Sequence, residues 1–260
     1  MLKVQTFSQG KTAERNEDYF DYNKKNFVIA DGSTDKSGRK YQGKTGGEIA
    51  AQLVVKSALS SDLNGVELIK FLNKKLANLY KKLGINKDIA QAQYRFTCAC
   101  IVVRLIKEEI IITYLGNLGF RINAKNTYQE KIPIDLANAK LRAKYIKKTS
   151  DIKGSRDHIM PLLFKELEYQ NHPTHHLGYG FIDGTNTPAK FIKVFKYPSD
   201  DVNLIELFTD GYFITPTGTT IDDWEKGAAK VEKEDPDKWK KYKSTKSKDD
   251  RTVAIIQLKN

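Results

Sequence analysis

The amino-acid sequence predicts an α+β fold in which largely antiparallel sheets are covered by helices. Three observations lead to this prediction. Short apolar runs typical of strands occur near both ends of the 260-residue chain, stretches with helical periodicity lie between them, and the helices come in groups rather than alternating strictly with strands. Strict alternation would instead indicate a doubly wound parallel sheet. Because no linker long enough to separate two domains is visible, we expect residues 1–260 to form one domain.

The first part of the chain contains two predicted strands followed by two predicted helices. Lys3 to Ser8 and Phe27 to Ala30 are short runs with strand character, and the second stops abruptly at an Asp-Gly dipeptide. From Gly46 the apolar residues follow a helical period. After Gly65 a second helix carries an apolar stripe that ends before Gly84, a typical stop signal.

The rest of the chain, after Gly84, is predicted to contain a three-stranded meander, two helices and further strands. Thr220 with Asp223 indicates a helix start, Asp235-Pro236 indicates another, and the lysine-rich segment Lys238–Lys248 is expected to be a mobile loop. The other predicted elements are strands at Tyr94–Leu105, Ile110–Leu115 and Leu118–Asn123, helices near Ala137–Lys148 and Ile159–Tyr169, a hairpin from Tyr179 to Phe195 that turns at Asp183-Gly184, and strands at Leu204–Phe208 and Thr252–Leu258.

Composition excludes several classes of protein. A hydrophobic content of 40% is enough for a sizeable core, and 17 Gly and 7 Pro are too few for a collagenous or disordered chain. No apolar run approaches the roughly 18 residues that cross a bilayer, and the N-terminal residues lack the apolar stretch of a secretory signal. We therefore expect a cytoplasmic protein with no membrane contact. The net charge of +12 would attract polyanions, of which phosphorylated proteins and nucleic acids are the two main kinds.

An apolar strand that stops at an acid followed by glycine occurs twice, at Ile29–Gly32 and at Leu207–Gly211. A sheet holds an Asp at a strand end rigidly, and Gly lets the backbone bend and bring its carbonyl near a ligand. Two further acidic segments, Asn16–Asp18 and Asp249-Asp250, precede an aromatic pair and the last strand. If all four converge, their mutually repelling carboxylates favour divalent cations, and oxygen ligands suit Mg²⁺ or Mn²⁺. Each Asp-Gly pair taken alone is more often a simple turn.

Taken in order, these segments resemble the metal-dependent protein phosphatase 2C family, as a divergent bacterial-type member. The resemblance implies a four-layer α-β-β-α sandwich with two mainly antiparallel sheets and two Mn²⁺ or Mg²⁺ ions at one end. It also implies a serine/threonine protein phosphatase in which a metal-bridging hydroxide attacks the phosphate in line. The segments that carry it, from about residue 5 to residue 258, are Arg15–Asp18, Val28–Gly32 with the helix start Gly46–Ala50, Tyr114–Asn117, Phe208–Gly211 and Asp249–Val253.

The resemblance also assigns roles to individual acids. Asp31 would bridge the two ions, and Asp210 and Asp249 would complete the first of them. The implied metal-binding set is Asp31, the carbonyl of Gly32, Asp210 and Asp249, with Glu17 and Asp18 holding metal-bound waters.

The sequence departs from the family pattern at two places that bear on the metals. Many relatives have an aspartate for a third metal where this chain has Asn117, and the companion aspartate is replaced by Ile214. Because both changes remove a carboxylate, we predict a binuclear centre without a third site.

A third departure concerns the basic residue that grips the phosphate. The family places an arginine where this chain has Ala13, so Arg15, Lys11 or Arg39 must serve instead, and Arg15 is preferred because it is close to the acidic pair. The segment Ser33–Gly43 either lines the substrate entrance or is a solvated surface loop.

Two other functions compete with a phosphatase acting on phosphorylated proteins. One is a pseudophosphatase on the same fold that binds phosphopeptides with little turnover, suggested by Asn117 and Ile214. The other is a basic nucleic-acid-binding protein, suggested by the net charge alone. The chain has neither stacking aromatics among its lysine clusters nor a nucleic-acid-binding module, so the second is the weaker alternative.

Overall fold

The computed structural model describes residues 2–34 and 36–258. Within these residues the chain forms ten strands and five α-helices. In chain order the elements are β1 (Lys3–Gln9), β2 (Asp18–Tyr22), β3 (Asn26–Gly32), α1 (Gly46–Leu59), α2 (Gly65–Leu83), β4 (Cys98–Leu105), β5 (Glu109–Leu115), β6 (Gly119–Ile122), β7 (Asn126–Gln129), α3 (Pro133–Thr149), α4 (Ser155–Glu166), β8 (Lys193–Pro198), β9 (Leu204–Phe208), α5 (Ile221–Glu234) and β10 (Arg251–Gln257).

The strands form two five-stranded sheets. The first sheet has the order β1-β10-β9-β6-β7 and the second the order β2-β3-β4-β5-β8. Every strand pairing in both sheets is antiparallel. This confirms the predicted α+β class and its antiparallel sheets.

The central strand β3 shows how the sequence specifies the layers. Its side chains alternate between two hydrophobic clusters: Phe27 and Ile29 point into the core between the sheets, whereas Val28 and Ala30 face α1 and α2. Because both faces of β3 are covered, the strand is a continuous apolar run rather than an alternating one. Small residues of α1 such as Ala50 and Ala51, both fully buried, let the helix pack closely on this sheet.

The outer face of the first sheet is covered by α5. Trp224 of this helix is fully buried against Phe208 and Val253 of the sheet. The helix begins with a capping box in which the Thr220 hydroxyl accepts from the Asp223 backbone N–H and the Asp223 carboxylate accepts from the Thr220 backbone N–H. With α1 and α2 on the opposite side, the layers are helix, sheet, sheet, helix, as the family resemblance implies.

The two remaining helices, α3 and α4, pack against each other and contribute to the wall of a cavity at one end of the sheets. Among the described residues, no helix has the length and apolar character needed to cross a bilayer.

Three predictions about these elements are wrong. The strands expected to form a three-stranded meander do not form one, because β4 and β5 pair in the second sheet whereas β6 lies in the first. The segment Tyr179–Phe195 is not a hairpin, because Ile182 pairs with Cys98 of β4 and the later residues enter β8, which pairs with β5. Asp235-Pro236 does not start a helix. Instead, the Asp235 carboxylate accepts hydrogen bonds from the backbone N–H groups of residues 239 to 242 and so shapes an irregular loop.

Candidate active site

Four acids that are distant in sequence lie at one end of the sandwich. Asp31 is the second-to-last residue of β3 and is directly opposite Asp18, the first residue of β2. Asp210 follows β9, and Asp249 precedes β10. Because these two strands are antiparallel neighbours, both acids lie at the same end of the first sheet. Asp31, Asp210 and Asp249 line one cavity of about 400 Å³. The structure therefore brings together the strand-end acids that the sequence singled out.

The electrostatics of these acids reflect burial and mutual repulsion. Desolvation, followed by the negative charges of Asp18, Asp210 and Asp249, raises the pKa of Asp31 well above its usual value. Desolvation and the charge of Asp249 raise the pKa of Asp210 to about 7, partly offset by Lys246 and by a hydrogen bond with Asp31. Such a cluster is stabilised by protons or by cations.

Asp18 retains an oxygen available for a ligand. Its Oδ2 accepts a hydrogen bond of 2.8 Å from the Thr209 hydroxyl, which ties the second sheet to the first. Its Oδ1 is buried and has no hydrogen-bond partner among the described residues. Burial raises the pKa of Asp18, since the hydrogen bond from Thr209 only partly compensates for desolvation. A desolvated carboxylate oxygen without a donor is a suitable ligand for a hard cation or its bound water.

Glu17 is also buried, but both of its carboxylate oxygens are occupied. Oε1 accepts from the Thr45 hydroxyl at 2.5 Å, and Oε2 forms an ion pair with the Lys11 ammonium. Lys11 also pairs with Asp250 at 3.3 Å. Neither Glu17 nor Asp18 is among the described residues that line the cavity, and both lie immediately behind it.

A lysine that the sequence had placed in a mobile loop lies among the acids. Lys246 Nζ is 2.5 Å from Asp249 Oδ1 and 3.4 Å from Thr34 Oγ1. Burial disfavours its charged form, yet the charges of Asp249, Asp210 and Asp31 outweigh that effect and raise the pKa of Lys246. The ammonium therefore supplies positive charge to the acid cluster.

The donor set fits a hard divalent cation, although not in its present arrangement. Within residues 2–34 and 36–258, no three His, Cys, Asp or Glu side chains are arranged so that they could hold a metal ion as they stand. The available groups are nevertheless carboxylate and backbone carbonyl oxygens, they repel each other, and the Asp18 oxygen lacks a donor. These are the properties of ligands for Mg²⁺ or Mn²⁺.

The two positions that depart from the family pattern have different surroundings. Asn117 lines the cavity, and its Nδ2 donates a hydrogen bond of 2.6 Å to Asp210 Oδ2. It therefore orients that carboxylate. Ile214 is not among the described residues that line the cavity.

The basic residues proposed from the sequence to grip a phosphate do not line the cavity, and the structure places them elsewhere. Arg15 lies in a tight turn closed by a hydrogen bond from its N–H to the Thr12 carbonyl, and Lys11 is engaged by two acids. Arg39 pairs with Asp88 at 2.5 Å and stacks over a tyrosine ring. The basic residues that do line the cavity are Lys36, Lys131, Arg156, Lys241, Lys243 and Lys246.

Sequence reasoning missed these basic residues of the cavity because they come from separate segments. Ser33, Thr34 and Lys36 line the cavity, so the start of the segment Ser33–Gly43 does face the entrance, whereas Asp35 lies outside the described residues. Arg156 comes from α4, and the others come mainly from the lysine-rich loop. The available signal was the position of that loop directly before Asp249.

The far wall of the cavity is formed by α3 and α4. It combines apolar side chains such as Leu136 and Leu163 with the acids Asp135 and Glu166. Desolvation, with the charge of Glu166, raises the pKa of Asp135 to about 7. Burial lowers the pKa of Lys36, which faces both acids. The cavity is thus lined by acidic, basic and apolar side chains.

The chain is similar to known proteins in its structure but not in its sequence. No protein-family model matches the chain, and no curated protein sequence is significantly similar to it. The serine/threonine phosphatase Stp1 from Staphylococcus aureus matches with a TM-score of 0.55 and 16% identity, covering 100% of this chain and 96% of that one. The Mycobacterium tuberculosis serine/threonine phosphatase PstP/Ppp matches with a TM-score of 0.56 and 13% identity, covering 100% and 99%.

A third structure carries metal ions. The catalytic domain of the serine/threonine protein phosphatase PstP, in complex with two manganese ions, matches with a TM-score of 0.51 and 11% identity over 98% of this chain and 97% of that one. At these identities the likeness concerns the fold. The chain has the α+β fold of bacterial serine/threonine phosphatases, which is the fold that its resemblance to the protein phosphatase 2C family implies.

Proposed function

We propose that this protein is a divalent-metal-dependent phosphatase that removes phosphate from serine and threonine side chains of proteins. The observation that carries the proposal is the convergence of Asp18, Asp31, Asp210 and Asp249 at one end of the sandwich, beside a cavity that is also lined by basic side chains. The fold shared with serine/threonine phosphatases supports it. We further propose that residues 1–260 act as one cytoplasmic domain.

In this proposal the acids hold two Mn²⁺ or Mg²⁺ ions. The ligands would be the carboxylates of Asp31, Asp210 and Asp249 and the carbonyl of Gly32, with Asp18 and Glu17 binding through water. Two such ions acidify a water molecule enough to supply hydroxide near neutral pH for in-line attack on phosphorus. Without a carboxylate at residue 117 or residue 214, the centre is proposed to be binuclear.

Other side chains position these ligands and the substrate. Asn117 orients the Asp210 carboxylate through its amide N–H, and Thr209 holds one oxygen of Asp18 so that the other remains free. The phosphate dianion would be received by cavity-lining residues such as Arg156 and Lys36 rather than by Arg15, which does not line the cavity. The substrate leaving group would then lie toward the wall formed by α3 and α4.

Hydrolysis of p-nitrophenyl phosphate and of a phosphoserine peptide in the presence of Mn²⁺ tests the proposal. We expect hydrolysis to stop when a chelator is added and to fall about 10³-fold in Asp31→Asn and Asp210→Asn, since each variant removes a charged ligand. Asp222→Asn, which removes an exposed acid from the first turn of α5, is the matched control and should keep wild-type activity. Equal rates in the wild type, Asp31→Asn and Asp210→Asn would refute the assignment.

A phosphopeptide-binding pseudophosphatase is the second candidate. It is favoured by the position of Lys246 among the acids and by Asn117 in place of a carboxylate. A single-turnover measurement on a phosphoprotein distinguishes the two: binding without release of inorganic phosphate at saturating Mn²⁺ would favour the pseudophosphatase.

A further inference from the structure

Lys246 occupies a position in the acid cluster that a divalent cation would also favour. Its ammonium contacts Asp249 at 2.5 Å and the Thr34 hydroxyl at 3.4 Å, and only 24% of its side chain is exposed. The charges of Asp249, Asp210 and Asp31 all act on it. It is therefore the counter-ion of the same carboxylates that are proposed to bind metal.

The loop that carries Lys246 is held in place by the rest of the protein. Arg142 of α3 donates hydrogen bonds to the carbonyls of residues 237, 238 and 244 and to the Ser247 hydroxyl. Arg156 of α4 donates to the Thr245 carbonyl at 2.8 Å. Lys238 is nearly fully buried and donates to the Ser247 carbonyl at 2.6 Å. Residues on both sides of Lys246 are thus fixed, and the side chain is directed to the acids by this framework.

The charge balance of the acid cluster differs with and without metal ions. The carboxylates of Asp18, Asp31, Asp210 and Asp249 together carry four negative charges when ionised, which two divalent cations would neutralise completely. An ammonium retained at 2.5 Å from Asp249 would then face two cations at short range in a partly desolvated site. Lys246 and a metal ion therefore compete for the negative charge of Asp249.

We propose that the Lys246 ammonium is an internal counter-cation that competes with divalent ions for the carboxylate of Asp249 and so sets the metal concentration at which the acid cluster fills. This inference rests on the proposed function, because it concerns the same acids. It assigns Lys246 a positioning role in the metal-free protein and requires its side chain to leave Asp249 when metal binds.

Mn²⁺ affinity, measured from the electron paramagnetic resonance signal of free Mn²⁺ in a titration of the full chain, tests this inference. We expect Lys246→Met to bind Mn²⁺ about tenfold more tightly or better, because it removes a positive charge next to a ligand. Lys246→Arg keeps that charge and should remain within about twofold of the wild type. Lys248→Met is the matched control: it removes a charge that is adjacent to Asp249 in sequence but exposed to solvent, so a change below about threefold is expected.

Two outcomes would overturn the inference: unchanged Mn²⁺ affinity in Lys246→Met, or the same tightening in Lys248→Met. Lys246→Gln repeats the test with a polar side chain if Lys246→Met does not fold by circular dichroism. If the wild type hydrolyses p-nitrophenyl phosphate at saturating Mn²⁺ while the Lys246 variants keep wild-type affinity, the inference is wrong and the proposed function stands. If no variant takes up Mn²⁺, both are wrong.

Discussion

At the residue scale, the glycines that follow the two strand-end acids are required by close packing. A Cβ atom at Gly32 would lie 2.5 Å from the Gly47 carbonyl oxygen and 2.7 Å from that of Glu17. A Cβ atom at Gly211 would lie 2.0 Å from the Asp250 carbonyl oxygen. Neither glycine has a positive φ, so close packing rather than an unusual backbone conformation requires them. The Asp-Gly pairs therefore mark places where neighbouring backbone segments of the acid cluster touch.

Gly32→Ala should destabilise the protein by about 1–3 kcal/mol, because the added methyl group overlaps two backbone carbonyls that cannot easily move. Gly227→Ala is the matched control in the interior of α5, where a Cβ atom would be 3.8 Å from its nearest neighbour. That change should stabilise the protein by about 0.5–1 kcal/mol, since alanine is a better helix former. Urea denaturation measures both free energies of unfolding. Effects of the same sign in the two variants would contradict the packing argument.

The acids of the candidate site could be predicted from the sequence, but their basic neighbours could not. Asp31 and Asp210 each end an apolar strand, which is a local signal, and the order of the segments indicated that they converge. Lys246 belongs to a polar lysine run that is typical of a solvated loop. Its placement depends on Arg142, about a hundred positions away in the chain, which binds the loop carbonyls. Such long-range contacts leave no periodic pattern in the sequence.

At the scale of secondary-structure elements, a buried ion pair joins β6, β9 and α5. Arg121 of β6 bonds to both carboxylate oxygens of Glu206 in β9 at 2.5 Å, and the side chains are 2% and 0% exposed. The indole N–H of Trp224 in α5 donates to the same carboxylate at 2.9 Å. Arg121 also donates to the Gly218 carbonyl at 2.7 Å, just before α5 begins. The pair thus attaches the outer helix to the first sheet.

Arg121→Met should lower the free energy of unfolding by about 3–5 kcal/mol, because it leaves the Glu206 carboxylate buried without its cation. The double variant Arg121→Met/Glu206→Met should recover most of that loss, since an apolar pair needs no counter-charge. Glu109→Gln, which disrupts an exposed pair with Lys196 at 3.0 Å, should cost less than about 1 kcal/mol. Chemical denaturation monitored by the fluorescence of Trp224 and Trp239 reports all three. A loss in Arg121→Met no larger than in Glu109→Gln would show that the buried pair is unimportant.

The elements that could be predicted from the sequence are those whose own pattern matches their surroundings. The helices α1 and α2 and the strands β3, β9 and β10 are apolar on the faces they bury, so periodicity located them. Two short strands were missed. Strand β2 mixes acids with aromatic residues, and β7 is a polar edge strand that pairs only with β6 among the described strands. Both depend on partners supplied by the rest of the sheet rather than on local propensity.

At the scale of the whole molecule, the charge is unevenly distributed. The net charge is +12, yet one end of the sandwich holds a cluster of buried acids in a cavity that lysine and arginine side chains also line. A positive surface field raises the rate of encounter with anionic ligands. The buried acids attract cations instead. Under the proposed function, the acids would bind metal ions and the positive charge would attract a phosphorylated protein.

The acid cluster should make the stability of the metal-free protein fall as pH rises. The pKa values of Asp210 and Asp135 are raised to about 7, above the value of about 4 expected for Asp in an unfolded chain. The folded state therefore binds more protons than the unfolded state between about pH 4 and 7, and stability that is fully present below pH 4 is lost through that window. Hydrogen bonds lower the pKa of other acids, such as Asp223. These acids are ionised above pH 5 in both the folded and the unfolded state, so they do not oppose the loss of stability there.

Urea denaturation in chelator should therefore give a free energy of unfolding about 1–3 kcal/mol lower at pH 8 than at pH 5. Asp210→Asn removes one of the responsible groups and should flatten this dependence. Saturating Mn²⁺ should reverse it, because cation binding replaces the lost protons and stabilises the ionised cluster more at pH 8 than at pH 5. A metal-free protein that is equally stable at both pH values, or one whose pH dependence is unchanged in Asp210→Asn and by Mn²⁺, would mean that these carboxylates do not interact as closely as their positions indicate.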